Sequence, residues 1–336
     1  MNILIRCDAS HQIGIGHLSR CMTLASRLNE YPSVKIIFAI KKSDVAEKLL
    51  KNKFELLVFD SSRKHSYENW FIEILIQQKI SQLILDVRND VNGAFLKKIK
   101  PLTRIITIDD PEDKRLFSDL AFYPPVKQVM EMDWSNFKGC LKVGWEFVMI
   151  RDEFLNEINK TNNKKIKIIV SMGGSDPLNL SLTILETLKK INIKFDISLI
   201  IGPANNNEGI LKKHILDNQS LNVTVFNSPN NFNDLISESD FGIISFGQTA
   251  YEFAALNRPS IYLCLSEDHE FSSEIFVDSN FGISAGVVNK LDLIKLKSHI
   301  ENMIINHLKF KKNLKKAKLA NLFKSNNMIK LMLSND

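Results

Sequence analysis

The sequence predicts an α/β protein of two Rossmann-like domains that face each other across a cleft. Short apolar segments alternate with segments of helical periodicity in the first half of the chain, and the same alternation starts again in the second half. The chain has 336 residues, which is enough for two domains of ordinary size. We therefore expect one domain over residues 1–155, a second over residues 165–290 and an extra helical segment over residues 291–336.

Each predicted element follows from its residue pattern. The apolar segments expected as strands of the first domain are 1–5, 34–39, 56–59, 83–85 and 105–108, with 120–123 as an edge strand. The segments with helical spacing between them are 17–28, 43–51, 70–79 and 92–100. In the second domain the expected strands are 166–171, 195–201, 223–226, 241–244 and 260–263, and the helices are 180–190 and 249–256. Segment 156–165 is polar, which is typical of a linker between domains.

Composition and charge exclude several classes of protein. The chain is 44% apolar and 24% charged, and it contains no apolar run long enough to span a bilayer. The net charge is +6, and six lysines lie between Lys309 and Lys318, so the rest of the chain is formally neutral. A local surplus of this kind argues against a nucleic-acid-binding protein. The four scattered cysteines lack metal-type spacing, and no signal-like segment precedes the first strand, so we expect reduced thiols in a cytoplasmic protein.

The lysine-rich segment near the C-terminus allows two interpretations. Its lysines alternate with apolar residues from Leu308 to Leu322. This pattern is typical of a solvated amphipathic helix that packs on the body of the protein. The alternative is peripheral contact with an anionic membrane through the Lys309–Lys318 helix.

The loop after the first strand carries the strongest candidate for catalysis. Gly14 and Gly16 allow a tight turn that approaches a ligand closely, and a helix opens at His17. The imidazole of His17 can exchange a proton near neutral pH. Further polar side chains lie within the same fifteen residues: Arg6, Asp8, Ser10 and Arg20. A tight turn with a helix-capping histidine is the structural alternative.

Two common nucleotide-binding motifs do not fit the glycine-containing loops. The first loop lacks the third glycine of a dinucleotide-binding site, and the second strand ends in Lys41 and Lys42 where an acidic ribose ligand is expected. The loop at 172–179 lacks the Gly-Lys-Ser/Thr of a Walker A motif. We therefore expect neither NAD nor a P-loop type of phosphate site.

Two loops of the second domain are candidates for binding a nucleoside diphosphate. In the loop 172–179, Gly173 and Gly174 offer backbone N–H groups, Ser175 offers a hydroxyl, and a helix follows. An ordinary βα loop with Asn179 as the N-cap is the alternative. In the second loop, residues from Gly247 through Gln248 to Thr249 lie at the start of a helix and can hold phosphate oxygens.

Two further residues of the second domain have less specific signals. Glu252 lies on the first turns of that helix, where a carboxylate can accept both ribose hydroxyls or can simply favour the helix N-terminus. His269 follows the last predicted strand and either faces the cleft or has no role. In the first domain, the acidic run 109–113 has no histidine nearby, so an exposed acidic turn is favoured over a divalent metal site.

Together these motifs resemble the PseG/SpsG family, the UDP-2,4-diacetamido-2,4,6-trideoxy-β-L-altropyranose hydrolases of pseudaminic acid synthesis, which are related in fold to MurG-type glycosyltransferases. The segments that carry the resemblance are 5–10, 13–21, 108–110, 144 with 149–154, 171–179 and 247–252. They cover about residues 1–285 in the family's order. The most specific of them are 5–21 and 171–179.

The resemblance implies a GT-B fold in which the second domain holds UDP and the sugar lies toward the first. It implies no metal and no cofactor. The reaction is attack of water on the anomeric carbon, with inversion and release of UDP, and His17 matches the catalytic histidine as the general base.

The chain departs from the family at two places on the sugar side. Asp86-Val87-Arg88 stands where the family usually has Asp-His-Tyr, and Ser266–Glu270, which includes His269, stands where it has an Asn-Gln pair. The exact sugar and the oligomeric state are therefore left open. A glycosyltransferase in which His17 deprotonates an acceptor hydroxyl is the alternative function.

Overall fold

The computed structural model describes residues 1–10, 15–62, 66–156, 165–217 and 220–334. Gly14 and almost all of the predicted linker lie outside these residues. The chain divides into two compact units: the first contains Met1–Arg151 and Ser325–Asp336, and the second contains Asp152–Lys324. Each unit is described by itself below.

The first unit is built on a seven-stranded parallel sheet. Its strands are β1 (Asn2–Cys7), β2 (Lys35–Lys41), β3 (Glu55–Phe59), β4 (Ile80–Asp86), β5 (Arg104–Ile108), β6 (Leu120–Tyr123) and β7 (Cys140–Val143). The strand order is β3-β2-β1-β4-β5-β6-β7. The order changes direction between β1 and β4, and ligands of such sheets bind at this switch point, beyond the carboxyl ends of the strands.

Helices cover both faces of this sheet. They are α1 (Gly16–Leu28), α2 (Asp44–Leu50), α3 (Tyr67–Gln77), α4 (Gly93–Ile99) and α5 (Gln128–Glu131). Local signals fix several of their starts: the hydroxyl of Ser43 accepts a hydrogen bond from the N–H of Ala46, and the side chain of Asn92 accepts one from the N–H of Phe95. Because both faces are covered, β1 is apolar and buried from Ile3 to Ile5 without a polar face.

The second unit repeats this plan with a six-stranded parallel sheet. Its strands are β8 (Ile166–Ser171), β9 (Phe195–Ile201), β10 (Asn222–Asn227), β11 (Phe241–Ser245), β12 (Ser260–Cys264) and β13 (Gly282–Val287). The order is β10-β9-β8-β11-β12-β13, so the switch point lies between β8 and β11. The helices are α6 (Leu180–Lys189), α7 (Glu208–Asp217), α8 (Phe232–Glu238), α9 (Gln248–Ala255), α10 (Glu267–Asp278), α11 (Leu293–Ala317) and α12 (Leu319–Phe323). The predicted fold class, two Rossmann-like α/β sheets with a C-terminal helical segment, is therefore confirmed.

The edge of the first sheet differs from the prediction. Segment 120–123 is a strand, as predicted, but it is not at the edge, because β7 pairs with it in parallel from Cys140 to Val143. The sequence of β7 is only four residues long and contains Lys142, so its pattern does not stand out from a loop. The strand β13 was not predicted either, because Gly282 and Gly286 interrupt the β-branched pattern that is typical of a strand.

The C-terminal helices are shared between the two units. The helices α11 and α12 belong to the second unit, whereas α13 (Asn327–Leu333) belongs to the first. Met328, Ile329 and Met332 of α13 are fully buried in the core that also contains β1 and α1. The backbone carbonyl of Met332 also accepts a hydrogen bond of 2.5 Å from the side-chain amide of Gln82. The end of the chain therefore completes the core of the unit in which the chain begins.

Among the described residues, no helix is both long enough and apolar enough to cross a membrane.

The buried position of α13 leads to a prediction about stability. Met332→Ala removes a fully buried side chain, so we expect the first unit to lose about 2–5 kcal/mol in its free energy of unfolding. The three tryptophans of the chain (Trp70, Trp134 and Trp145) all lie in the first unit, so tryptophan fluorescence during urea unfolding follows this unit. Lys330→Ala, on the exposed side of the same helix, is the control. An equal effect of both substitutions would contradict the packing of α13.

Candidate active site

The predicted catalytic histidine lies at the switch point of the first unit. Cys7, the last residue of β1, pairs with Asp86, the last residue of β4, so the loops that follow the two strands emerge side by side. His17 is the second residue of α1, which begins at Gly16. A Cβ atom on Gly16 would meet no atom of the described residues within 4 Å. The structure thus places His17 where α/β sheets bind ligands.

His17, Arg20 and Asp86 form one hydrogen-bonded group. The Nδ1 atom of His17 lies 2.6 Å from Oδ1 of Asp86. Arg20 donates two hydrogen bonds to the same carboxylate, from Nε to Oδ2 and from Nη2 to Oδ1, each 2.6 Å long. This fork-to-fork pairing fixes the plane of the carboxylate and adds two charge-assisted bonds. The thiol of Cys21 lies 3.3 Å from Oδ2 of Asp86.

The electrostatics of this group keep Asp86 ionised. Burial alone would raise the pKa of Asp86, since its side chain is only 1% exposed. The charge of Arg20 and, when its imidazole is protonated, that of His17 outweigh burial and hold the pKa of Asp86 well below the usual range. Burial likewise opposes the charge of Arg20, but Asp86 outweighs it and raises the pKa of Arg20 well above its usual value. The ion pair is therefore maintained at every pH near neutrality.

The ionised state of Asp86 determines the tautomer of His17. Nδ1 lies 2.6 Å from Oδ1 of Asp86 and 3.1 Å from Nη2 of Arg20, which can only donate. The carboxylate is the nearer partner and can only accept, so it favours the neutral tautomer with the proton on Nδ1. The Nε2 atom then carries the lone pair. The side chain of His17 is 27% exposed, which leaves the ring accessible to small molecules. This arrangement of a base and an orienting carboxylate is the one that serves general-base catalysis.

Asp109 joins Arg88 to this group. It follows β5, the neighbour of β4, and adopts a left-handed backbone conformation with φ of 52°. Its Oδ2 atom accepts a hydrogen bond of 3.0 Å from Nη1 of Arg20 and lies 3.8 Å from Nη2 of Arg88. Arg88, whose side chain is about one-third exposed, thus adds an accessible positive charge near His17. The sequence placed Asp109 at the end of a predicted strand, but it did not predict the hydrogen bond from Arg20.

The expected exposed acidic turn at 109–113 is wrong for Asp110. The Asp110 carboxyl is buried, and burial raises its pKa to about 6 in spite of the positive charge of Lys114. Its Oδ1 atom accepts a hydrogen bond from the N–H of Glu112, and its Oδ2 atom lies 3.4 Å from Nζ of Lys114. Lys114 reaches inward next to Asp110 and donates a hydrogen bond to the backbone carbonyl of Val87, whereas Asp113 on the same turn is exposed.

Arg6 has a positioning role instead of the expected contact with substrate. Its side chain has no exposed surface. Its Nη1 and Nη2 atoms each donate a 2.6 Å hydrogen bond to the carboxylate of Asp8, and Nε donates to the hydroxyl of Tyr67 and to Asp90. The main-chain N–H of Lys41 also donates to Asp8. Arg6 therefore fixes the start of the loop that leads to His17. Asp90 lies just after a predicted strand, which is a weak sequence signal, whereas Tyr67 had none.

The glycine-rich loop of the second unit lies against the end of the neighbouring strand. Gly173 has a φ of +75°, which favours glycine, and the N–H of Ala204 donates a hydrogen bond of 2.9 Å to the carbonyl of Gly174. A Cβ atom on Gly202 would lie only 2.3 Å from the carbonyl oxygen of Gly173, so the two loops meet backbone to backbone. A Cβ atom on Gly174 would meet nothing within 4 Å, which leaves one side of this loop, next to Ser175, open.

The N-terminus of α6 is already occupied by a carboxylate. Asp176 is buried, and it accepts hydrogen bonds from the N–H groups of Leu180 (2.8 Å) and Ser181 (3.1 Å). Asn179 stands at the N-cap position in a left-handed conformation but makes no side-chain capping bond. The alternative in which the Asn179 side chain caps the helix is therefore wrong. A second anion at the same N–H groups would be repelled by Asp176. UDP binding by Gly173, Gly174, Ser175 and Asn179 stays a prediction.

The N-terminus of α9 differs from that of α6. Gly247 stands at its N-cap position, no side chain forms a capping hydrogen bond, and its first turn contains no acidic residue. Gln248 and Thr249 form that turn, and a Cβ atom on Gly247 would meet no atom within 4 Å. Glu252 lies on the next turn and is only 4% exposed, so its contact with a ribose stays a prediction.

His269 lies near the N-terminus of α9, where its ring contacts the ring of Phe246. It is on the first turn of α10, where its N–H donates to the hydroxyl of the N-cap residue Ser266. The centroid of its ring is 6.2 Å from that of Phe246, which directly precedes Gly247. The histidine is half-buried. The structure thus brings His269 next to the predicted phosphate-binding turn of the second unit.

Within the residues that the structure describes, no three His, Cys, Asp or Glu side chains are grouped so that they could hold a metal ion.

Comparisons with known proteins agree with the motifs. No protein-family model matches the chain. It is 28% identical over 275 residues to the UDP-2,4-diacetamido-2,4,6-trideoxy-β-L-altropyranose hydrolase of Campylobacter jejuni, a match that covers 80% of this chain and 94% of the relative. It is 27% identical over 283 residues to an uncharacterised protein of Methanocaldococcus jannaschii, covering 80% of this chain and 56% of that protein. These matches confirm the resemblance to the hydrolase family.

A third relative carries two activities in its name. The pseudaminic acid cytidylyltransferase and UDP-2,4-diacetamido-2,4,6-trideoxy-β-L-altropyranose hydrolase of Helicobacter pylori is 24% identical over 310 residues. The match covers 91% of this chain and 51% of the relative. The chain thus spans about half the length of this relative and of the archaeal one.

Solved structures with the same fold are glycosyltransferases. MurG of Acinetobacter baumannii has a TM-score of 0.70 at 12% identity, with 94% of both chains covered. HepE of Anabaena, solved with UDP and glucose, has a TM-score of 0.63 at 12% identity, with both chains fully covered. At this level of identity the similarity establishes the GT-B-like fold alone.

The raised pKa of Asp110 leads to a prediction about stability and pH. Between about pH 4 and 6 the unfolded chain releases this proton while the folded protein retains it, so the free energy of unfolding falls as the pH rises. Asp110→Asn lacks this effect. Its stability relative to wild type should therefore improve by about 2 kcal/mol between pH 4.5 and 7.5, as measured by urea unfolding.

The control for this experiment is Asp113→Asn, at a carboxylate that is 90% exposed. It should show little change in relative stability across the same pH range. A pH-independent difference for Asp110→Asn would contradict the raised pKa.

Proposed function

We propose that the chain is a nucleotide-sugar hydrolase that cleaves a UDP-linked diacetamido-trideoxy sugar in pseudaminic-acid-type biosynthesis. The observation that carries the proposal is the 2.6 Å contact of His17 with a buried, ionised Asp86 at the switch point of the first sheet. The names of the Campylobacter and Helicobacter relatives support the substrate class.

His17 is the general base in the proposed reaction. A water molecule near Nε2 loses a proton to that nitrogen as its oxygen attacks the anomeric carbon. The bond between this carbon and the phosphate oxygen breaks, and UDP leaves with the electron pair. Attack from the side opposite the leaving group inverts the anomeric configuration. Positioned general bases of this kind contribute about 10²–10⁴-fold to the rate.

Asp86 and Arg20 are positioning residues in this mechanism. Asp86 holds the proton of His17 on Nδ1 and stabilises the imidazolium that forms when Nε2 accepts a proton. Arg20 keeps Asp86 ionised and fixes its orientation through two 2.6 Å hydrogen bonds. We assign Arg88, which is exposed beside Asp109, to contact with the sugar or the diphosphate, and the partly exposed Asp8 to contact with the sugar.

UDP binding is assigned to the second unit. We propose that the uncapped N-terminus of α9, from Gly247 to Thr249, holds phosphate oxygens and stabilises the charge that develops on UDP. The open backbone at Gly174, next to Ser175, is the second proposed phosphate contact. Glu252 is assigned to the ribose. We propose a metal-independent reaction in the cytoplasm, where the four unpaired cysteines would stay reduced.

The second candidate function is that of a glycosyltransferase. The same geometry would let His17 deprotonate an acceptor hydroxyl instead of water. Two observations favour this alternative: the solved structures of the same fold are transferases, and Arg88 and His269 replace residues that the hydrolase family has on the sugar side.

Substitution of the base tests the mechanism. His17→Ala should lower UDP release by about 10²–10⁴-fold and leave UDP binding nearly unchanged, because the proposed UDP site is in the second unit. Asp86→Asn should lower kcat by a similar factor because it no longer fixes the tautomer. Product release is measured by a coupled UDP assay, and binding by calorimetry.

A histidine outside the site is the control for these variants. His307→Ala, on α11 of the second unit, should keep full turnover. Full turnover of His17→Ala would exclude His17 as the base. Loss of UDP binding in that variant would contradict the assignment of UDP to the second unit.

Incubation without an acceptor distinguishes the two functions. A panel of UDP-linked amino sugars is mixed with the protein alone, and the products are identified by mass spectrometry. We expect rapid formation of free sugar and UDP. If sugar is released only when an alcohol or lipid carrier is added, the protein is a transferase.

A further inference from the structure

The long helix α11 has an outward face that the second unit does not cover. Its inward side chains are buried in the core of that unit: Leu296, Ile300, Met303, Ile304 and Leu314. On the outward side, Ile305 is 74% exposed and Leu308 is 68% exposed. Two large aliphatic side chains one turn apart are thus fully presented to the solvent, at an energetic cost that packing within the unit does not offset.

Lysines surround this aliphatic pair. We define the basic face as Ile305 and Leu308 together with Lys309, Lys312, Lys315 and Lys316. Spacings of three and four residues place Ile305, Leu308, Lys309, Lys312 and Lys316 along one side of the helix. All four lysines are exposed, and none of them makes an ion pair with the residues that the structure describes.

The segment that carries the basic face contains no acidic residue. From Asn302 to Asn335 the sequence contains no Asp and no Glu. The N-terminal half of the same helix is different, because Lys297 pairs there with Glu301 at 3.7 Å. The charge on the basic face is therefore not part of the usual mixture of signs on a solvated helix.

The combination of charges and aliphatic side chains selects one kind of partner. Two copies of the basic face would bring lysines against lysines in a symmetric dimer, which is unfavourable. A nucleic acid would pair with the lysines but would leave Ile305 and Leu308 unused. An anionic bilayer provides negative headgroups for the lysines and an apolar boundary for the aliphatic pair.

We propose that the basic face of α11 docks peripherally on an anionic lipid surface. Ile305 and Leu308 enter the boundary between headgroups and acyl chains, and the lysines lie among the headgroups. Because α11 packs along β12, β13 and α6, its outward face is turned away from the sheet that it covers. Docking there is independent of the proposed reaction, and its test does not rely on turnover.

Vesicle binding by the full chain tests the proposal. The protein is sedimented with vesicles of neutral phosphatidylcholine or of phosphatidylcholine with 30% phosphatidylglycerol, in 50 mM and 500 mM salt. We expect binding to the anionic vesicles at low salt, loss of most of it at high salt, and no binding to neutral vesicles, because screening weakens exposed charges.

Variants separate the two parts of the basic face. Lys309→Gln, Lys312→Gln and Lys316→Gln combined should weaken binding by about 100-fold, since each lysine near such a surface contributes about five-fold. Ile305→Ser with Leu308→Ser should weaken it by at least about ten-fold. All five positions are exposed, so the variants should unfold at the wild-type temperature.

The matched control replaces two equally exposed aliphatic residues on another helix. Ile210→Ser with Leu216→Ser, on α7, should not change vesicle binding. Equal binding to neutral and anionic vesicles, no binding at low salt, or equal loss in the α7 control would overturn the proposal. So would a dimer in analytical ultracentrifugation that Ile305→Ser with Leu308→Ser dissociates, because the partner would then be a second copy.

Discussion

The geometry of the candidate active site depends on the buried ion pair between Arg20 and Asp86. Asp86 is almost completely buried at the end of β4, and a lone carboxylate there would be strongly destabilised or neutralised. Two short hydrogen bonds from Arg20 keep it charged, and only the charged form compels His17 to carry its proton on Nδ1. Breaking such a pair by removing one partner typically costs about 3–5 kcal/mol, so the same contact contributes to both stability and function.

The second unit shows how a side chain can decide which helix terminus is available to a ligand. Both α6 and α9 follow a strand at the switch point, and both are preceded by glycine-containing loops. Asp176 places its carboxylate on the first N–H groups of α6, whereas no side chain caps α9. The N-terminus of α9 is therefore the one that we propose for phosphate. Two glycine-containing loops that end at helices thus differ in their electrostatics.

The C-terminal helices connect the fold with the proposed lipid contact. Helix α11 is amphipathic in the usual sense, because its apolar side chains pack into the second unit. The aliphatic pair on its other side has no structural role, and the lysines around it have no acidic partners within the described residues. Helix α13, by contrast, is buried in the first unit through Met328 and Met332. The same terminal segment therefore combines core packing with an exposed charged surface.

The sequence alone determined the α/β fold, the repeat of one plan in two units, and the loops around His17 and Gly247, because strand periodicity and glycine-rich turns are local properties. It did not determine which of the predicted polar residues meet. Only the parallel pairing of β1 with β4, and of β4 with β5, brings Asp86 and Asp109 to Arg20. The burial of Arg6 and Asp110 and the capping of α6 by Asp176 were also decided by tertiary structure, since burial and hydrogen-bond partners depend on neighbours distant in sequence.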